Sequence, residues 1–566
     1  MDVRLAAAIA AAAAVLLGAS PAAAGAAPPA TAGSTAPSPA EPEYLPPTPA
    51  GYAITAREAV EHADTSSVVA EQSERYGRLA TVIQAKNGNW QVGYKDGDNE
   101  VAQVTVDGAT GGIREAWTGY QVAWPMARGY EGQFGHKLNA AWVWLPLCAL
   151  FLCLLCDWRR PLRIVHLDLL VLLGFGVSHV YFNQGEIGVS VPLVYPFLLY
   201  LLARMLWLGF RGGEGLRPSV RPMWLIVAAV FLIAFRITLN VADSGVIDVG
   251  YSGTIGADRI THGEAVYGEG AFPDDNRFGD TYGPANYYAY VPFELALPWS
   301  GEWDELPASH AAALAFDLAT VLGLVVFGLR SRPGREGRSL AAILAFGWVA
   351  YPYTGFALQS NSNDSLIAAL IVWALALFAR PVARGAFLAL AAMAKFAPLI
   401  LAPLFAAGER GLRPATSRPA LAFAGAFAVV CALMLAHPAV DPGLATFWER
   451  TAESQLDRTS PFSVWGQADG VQWLQTLVLA AAAALAIALA FVPARRSTAQ
   501  VAALAAGVLI ALQLGVDHWF YLYIPWFFGP LLIALATSSR LSPAPVPGPA
   551  RSTGLARRLP ARPQPR

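Results

Sequence analysis

Charge is what this 566-residue sequence has least of. Asp, Glu, Lys and Arg make up 14% of it, against roughly 25% in soluble globular proteins. With 55% hydrophobic residues and a mean hydropathy of +0.42, the deficit excludes an ordinary soluble domain. A net charge of −1 leaves no basic face of the kind nucleic acid requires, so no nucleic-acid partner is expected. Cysteine is equally scarce. Cys148, Cys153, Cys156 and Cys431 all lie in apolar runs, so the polar segments have no disulfide framework. The run 148–156 contains no His, Asp or Glu, and its cysteines read as small apolar residues of a membrane helix. Asp274-Asp275 lacks a third ligand, and no glycine loop cradles a phosphate, so neither a metal nor a cofactor is expected. No internal repeat occurs, which argues against a repeat-built transporter.

What is present is hydrophobic sequence in long runs. Residues 1–24 read as a secretory signal: Arg4, an apolar core over Leu5–Ala19, and Ala22-Ala23-Ala24 as a small-residue cleavage site. The core is shorter than the ~20 residues of a span, and an uncleaved anchor is the alternative. Residues 25–50 have the Ala, Pro, Ser and Thr composition of a disordered linker. Residues 51–135 are predicted to form a small extracytoplasmic α+β domain. Its helix is expected over Ala56–Gln72 and its strands over Trp90-x-Val92-x-Tyr94 and Ala102-x-Val104-x-Val106, with turns at Asp96-Gly97-Asp98-Asn99 and Asp107-Gly108. The helix, the W-x-V-x-Y strand and the strand ending near Val106-Asp107 and Thr110-Gly111 resemble a PepSY domain. That resemblance implies a modulatory or binding role.

From residue 140 onward the expected fold is an α-helical polytopic membrane protein of about 11 spans, accessory helices over 140–221 preceding a module over 222–536. The spans are expected at 141–157, 164–181, 190–210, 222–241, 308–329, 340–357, 365–379, 420–436, 471–492, 499–515 and 519–536. Arginines cluster after the first, fifth, seventh and ninth spans, between the third and fourth, and in a disordered tail over 537–566. If these clusters lie in the cytoplasm, residues 25–139 lie outside it, in a multi-pass cell-membrane protein. One segment breaks the alternation: 385–407 has Arg380 and Arg384 before it and Arg410, Arg413 and Arg418 after it. Interrupted at Ala397-Pro398 and Pro403, it is predicted to be a re-entrant pair of short helices, a backbone tolerated where it is buried or lines a cavity. The outer segments are then 182–189, 242–307, 358–364, 437–470 and 516–518. The two long ones carry Tyr282, Tyr287, Tyr288, Trp299, Trp303, Phe447, Trp448, Phe462 and Trp465.

Several residues in these segments have the chemistry of a transfer site. Asp248, just past the fourth span, suits a general base, or else caps a helix or is solvated. Lys395, one of four lysines, lies inside the broken segment, where a cation suits an anionic lipid phosphate or snorkels to an interface. His518, in Asp517-His518-Trp519, suits a phosphate or sugar hydroxyl, with an interfacial aromatic belt as the alternative. Tyr251 and Tyr282, beside Asn286, suit sugar stacking or an interfacial helix. Asn361 and Asn363 tip a loop, or cap the helix that begins near Leu366.

In their order, these residues resemble the GT-C superfamily of membrane glycosyltransferases, and within it the polyprenyl-phosphate-mannose-dependent mannosyltransferases of actinobacteria. The resemblance rests on Asp248 in Ile-Asp-Val-Gly-Tyr, Gly263-Glu-Ala-Val-Tyr267-Gly268, Tyr282-Gly-Pro284, Asn361 and Asn363, Lys395-Phe-Ala-Pro398 and His518. The family's Gly-Gln-x-Asn motif keeps its Gln and Asn in Leu358-Gln359-Ser360-Asn361 and loses its Gly. The family's Asp usually follows its first span, whereas here Asp248 follows the fourth, with three further spans (141–210) and an outer domain before it. The resemblance implies transfer of a hexose, mannose, from a polyprenyl-phosphate donor to an acceptor hydroxyl on a glycolipid, glycan or protein, with Asp248 as general base and Lys395 and His518 at the phosphate. A transporter or flippase of a lipid-linked or small polar substrate, and a non-enzymatic envelope assembly factor, are the competing classes.

Overall fold

The computed structural model describes residues 38–42, 44–97, 99–129, 134–414, 417–453, 460–468 and 470–537. The expected signal, the first part of the linker, Asp98 and the expected tail beyond Thr537 lie outside the described residues.

The polar module begins with helices α1 (Ala56–Asp64) and α2 (Ser67–Tyr76), where one helix over 56–72 was expected. The break falls at Thr65-Ser66, because the Thr65 hydroxyl donates to the His62 carbonyl and ends α1. A capping box between Thr55 and Glu58 starts α1, and Ala56, Ala59, Val60 and Ala63 form its buried stripe. Four strands follow as an antiparallel meander in the order β1 (Ala80–Lys86), β2 (Asn89–Asp96), β3 (Asn99–Asp107), β4 (Ile113–Thr118). Asn87 and Gly88, with φ of 49° and 76°, make the tight turn between β1 and β2. As the alternation predicts, Trp90, Val92 and Tyr94 of β2 and Ala102, Val104 and Val106 of β3 are buried together with the helices. The polar tips inside this core are satisfied: Trp90 Nε1 donates to the Ile54 carbonyl at 3.0 Å and Tyr94 OH to Asp64 at 2.7 Å.

The membrane part is entirely helical. In chain order its main helices are α3 (Ala141–Leu155), α4 (Ile164–Asn183), α5 (Ile187–Arg211), α6 (Pro222–Ala242), α7 (Asp248–Thr261), α8 (Pro284–Glu294), α9 (Pro307–Ser331), α10 (Gly334–Ala350), α11 (Pro352–Gln359), α12 (Asp364–Ala376), α13 (Pro381–Ala394), α14 (Ser417–Val440), α15 (Gln472–Ala488), α16 (Thr498–Gln513) and α17 (Ile524–Thr537). Every expected span falls on a helix or a helix pair. Five of them, α4, α5, α6, α9 and α14, are individually long and apolar enough to cross a membrane. The span expected over 340–357 is instead two helices, α10 and α11, bent by 57°. The bend sits at Tyr351-Pro352, because the proline ring holds the preceding residue out of the helical region and Tyr351 adopts ψ 122°.

The segment 385–407 is broken where Pro398 predicted. Helix α13 stops at Lys395, a tight turn covers Ala397–Leu401, and a short helix covers Ala402–Ala407. It also returns to its starting end, since Gly408 lies against the Arg384 guanidinium and accepts a hydrogen bond from Arg496 Nε at 2.8 Å. The sequence 358–364, expected as an outer loop, is buried in the fold: Ser360 through Asp364 are at most 1% exposed, and the Phe134 carbonyl accepts from Ser360 Oγ at 2.7 Å.

Among the described residues, two arginine–aspartate pairs are buried among the helices. Arg204 Nε meets Asp168 at 2.9 Å, and Arg236 Nη2 meets Asp317 at 2.7 Å. Such pairs are sustained by further hydrogen bonds at both ends, although Arg204 Nη2 and Arg236 Nε make none. Arg236 also donates to the Thr354 hydroxyl, the Thr354 carbonyl and the Val349 carbonyl, and Trp348 Nε1 donates to Asp317.

Candidate active site

Residues 359–365 are the hub on which the expected site residues converge. Helix α11 ends at Gln359, and Asn361 turns the chain at φ +46°, a left-handed conformation that Asn tolerates. Its side chain is fully engaged. Asn361 Nδ2 donates to Ser244 Oγ and the Gly245 carbonyl, both at 2.9 Å, and its Oδ1 accepts from Asn240 at 2.8 Å. Next to it, the Ser360 carbonyl accepts from Ile247 N at 3.2 Å. Gly250 packs so closely that a Cβ there would stand 2.2 Å from the Asn361 carbonyl oxygen. Asn361 therefore fixes the start of α7, whose first residue is Asp248.

Asp248 presents an exposed side chain at that helix start. The unbonded N–H groups of a helix N-terminus favour negative charge there. Its carbonyl accepts from Ser252 Oγ at 2.7 Å and Asn276 Nδ2 at 3.0 Å, which holds the residue's backbone. Tyr251, one turn on, is buried between Trp303 and Trp299, with ring centroids 4.8 and 5.9 Å away. Burial, reinforced by Asp275 and Asp304, pushes its hydroxyl up to about 12.

Asn363 occupies the N-cap position of α12 without a capping bond; its Nδ2 donates instead to Asn286 Oδ1 at 2.8 Å. Asp364, the next residue, is 1% exposed. It accepts from Lys395 Nζ at 2.7 Å and from Trp526 Nε1 at 2.9 Å, both on Oδ1. The ammonium also stands over three rings, 5.5 Å from Tyr282, 5.5 Å from Tyr523 and 5.1 Å from Trp526. Snorkelling is therefore not what Lys395 does: its charge ends on a buried carboxylate inside an aromatic cage. Gly283 makes the cage possible, because its N–H bonds the Ala394 carbonyl at 3.2 Å and a Cβ there would strike Met393 O at 2.0 Å.

Around this pair, five buried polar atoms make no hydrogen bond: Asn286 Nδ2, Tyr290 OH, Asn363 Oδ1, Asp364 Oδ2 and Ser365 Oγ. Asn286 and Tyr290 are one turn apart on α8, and residues 363–365 are consecutive. Unmet polar atoms in a native interior call for an explanation, and a polar substrate group is one.

His518 lies on the same side. Its Nδ1 is 2.9 Å from Ser460 Oγ, and its ring packs against Phe462, Trp124 and Tyr523 at 5.4, 5.8 and 6.4 Å. Tyr523 stacks on Trp526 at 4.4 Å, so His518 and Lys395 share one aromatic wall. The two long outer segments are joined by Arg450, which grips Asp280 through Nε at 2.6 Å and Nη2 at 3.1 Å. Among the described residues, no cluster of three or more His, Cys, Asp or Glu has the arrangement of a metal site.

With this geometry in view, a family model described as glycosyltransferase family 87 matches residues 281–516. The match supports a membrane glycosyltransferase. It contains Tyr282, Asn361, Asn363 and Lys395, begins after Asp248 and Tyr251, and ends two residues before His518. No curated protein matches the chain. Sequence reasoning missed Asp364, the partner of Lys395. A carboxylate opening the apolar run 364–376 was the available signal, since intramembrane acids usually have a specific partner.

Proposed function

We propose that this membrane glycosyltransferase moves a hexose, mannose, from a polyprenyl phosphate to an acceptor hydroxyl on a glycolipid, glycan or protein, on the face directed away from the cytoplasm. The observation that carries the reading is the caged Lys395–Asp364 pair, a buried cation beside unmet polar atoms and on one aromatic wall with His518. In the proposed step the acceptor oxygen attacks C1 of the donor sugar and gives its proton to the Asp248 carboxylate. The C1–O bond to phosphate breaks, and polyprenyl phosphate leaves with the bonding electrons. Lys395 and His518 stabilise the negative charge on that leaving group, where a positive group in a low-dielectric site is most effective. Asp364 holds the ammonium aimed until the phosphate arrives. Tyr282 holds the donor over Lys395, Asn363 offers an amide to the sugar, and Asn361 and Tyr251 hold Asp248 in place. The polar module, resembling PepSY, binds or modulates rather than catalyses.

Purified protein given radiolabelled polyprenyl-phosphate mannose and an envelope lipid extract should label an acceptor. Asp248→Asn should abolish labelling while the protein stays folded. Full activity in Asp248→Asn would remove Asp248 as the base. Movement of labelled lipid across vesicles without label transfer would replace the reading with transport. A cysteine placed at Asn99 should react with an impermeant thiol reagent on whole cells, and labelling only after lysis would reverse the facing.

A further inference from the structure

At the opposite end of the helices, the loop 156–163 between α3 and α4 and the loop 212–221 between α5 and α6 are locked together. Ser219 N donates to the Cys156 carbonyl at 3.3 Å, Ser219 Oγ to Asp157 at 3.1 Å, and Trp158 N to Ser219 Oγ at 2.9 Å. Asp157 N in turn donates to His166 Nε2 at 3.0 Å, leaving His166 Nδ1 to donate to the Pro161 carbonyl at 2.8 Å. This end lies away from the candidate site: Lys137 and Asp243 bridge the other ends of α3 and α6 at 3.4 Å.

The two loops border an open cleft of about 350 Å³ lined by Asp157, Arg159, Arg160, Arg163, Glu214 and Arg217, with Pro218 and Ser219. Four guanidiniums face two carboxylates, an excess of positive charge. Arg163 is built into the wall, its side chain 9% exposed. Its Nη2 donates to the Gly215 carbonyl at 2.6 Å and its Nε pairs with Glu214 at 3.3 Å. Its Nη1 makes no hydrogen bond and stands 3.8 Å from the nearer Asp157 oxygen. The side chains of Arg159, Arg160 and Arg217 are exposed at the rim and make no ion pair among the described residues. Trp158 and Leu162 are exposed beside them. The tendency of arginines to collect on one side of a membrane protein explains their number. It does not explain a cleft with a buried guanidinium anchored to backbone and an Nη1 amino group without a hydrogen bond.

We propose that this cleft binds the phosphate of an anionic phospholipid headgroup. The phosphate oxygens meet the three rim guanidiniums above the buried positive charge of Arg163, and the acyl chains run past Trp158 and Leu162 into the bilayer. A basic pocket between helix ends, with an aromatic and an aliphatic residue at its lip, matches both halves of such a lipid. The site is separate from the proposed transfer centre, so either reading survives failure of the other.

Native mass spectrometry of the purified full chain exchanged into phosphatidylglycerol/phosphatidylcholine nanodiscs tests it. Wild type should retain phosphatidylglycerol over phosphatidylcholine. The triple variant Arg159→Gln/Arg160→Gln/Arg217→Gln, confined to exposed side chains, should lose that retention by about tenfold or more, given what each basic residue contributes near an anionic surface. Arg163→Gln should lose it too, and a folded triple variant keeps the test decisive if Arg163→Gln does not fold. Equal retention of both lipids, or undiminished phosphatidylglycerol in the triple variant, overturns the proposal. Inorganic phosphate stabilising the protein as strongly as phosphatidylglycerol, with no gain from acyl chains, assigns the cleft to free phosphate and overturns the lipid.

Discussion

Two of the buried ion pairs in the membrane bundle are finished differently. Arg236–Asp317 is heavily stitched: the guanidinium reaches two backbone carbonyls and a hydroxyl besides Asp317, Trp348 donates to the carboxylate, and Arg236 Nε alone of the guanidinium nitrogens is unmet. In Lys395–Asp364 the ammonium has one hydrogen bond, to Asp364, and Asp364 Oδ2 and four neighbouring polar atoms are unmet. A pair serving architecture spends most of its bonding capacity internally. A pair serving a substrate keeps part of it back.

That contrast can be broken by substitution, and the largest effect belongs to the closed pair. Asp317→Asn leaves Arg236 buried without a counter-charge and should cost about 3–5 kcal/mol, read as a collapse of the unfolding temperature in detergent. Next comes the open pair. Lys395→Met should lower sugar transfer by about 10²–10³-fold while shifting unfolding less than Asp317→Asn does, and Lys395→Arg should recover part of the rate. If Lys395→Met destabilises as much as Asp317→Asn, the two pairs are alike and the contrast fails. A smaller effect tests the shared wall: Ser460→Ala removes the hydroxyl beside His518 Nδ1 and should slow transfer by about fivefold, the value of one hydrogen bond near 1 kcal/mol, with the fold unchanged.

The smallest effect concerns a surface pair, Asp107 with Arg114 on the polar module. The Arg114 guanidinium, with the Thr110 and Ala109 N–H groups, lowers the Asp107 carboxyl to about 2 from its ordinary 3.8. A lowered carboxyl stabilises the fold above its unfolded-state value and loses that contribution as pH falls toward its folded-state value. The module's unfolding midpoint should therefore drop between about pH 4 and pH 2, and Asp107→Asn should flatten the drop. An unaltered slope in Asp107→Asn would assign the acid sensitivity elsewhere.

Helix positions were legible because apolar runs and prolines act locally. Pro398 announced the break beside Lys395. Pro352 carried the same signal, yet an uninterrupted apolar stretch over 340–357 concealed its 57° bend. The site was legible as a collection of residues and not as an arrangement. Lys395 stood out because lysine is rare, whereas Arg204 and Arg236 were lost among many arginines although they too lie in apolar helices. Asp364 became significant only through a contact 31 residues away in sequence. Tyr251 and Asn361 looked like surface recognition groups. Folding instead encloses the first between two tryptophans and consumes every polar atom of the second's side chain.

The return of 381–407 to its own end has a consequence for parity. A hairpin that comes back to its starting side adds an even number to the count of passages. Inserting or deleting residues near Lys395 can therefore raise or lower the ammonium without turning α14–α17 over. The depth of the charge and the facing of the rest of the protein are independent variables in this architecture.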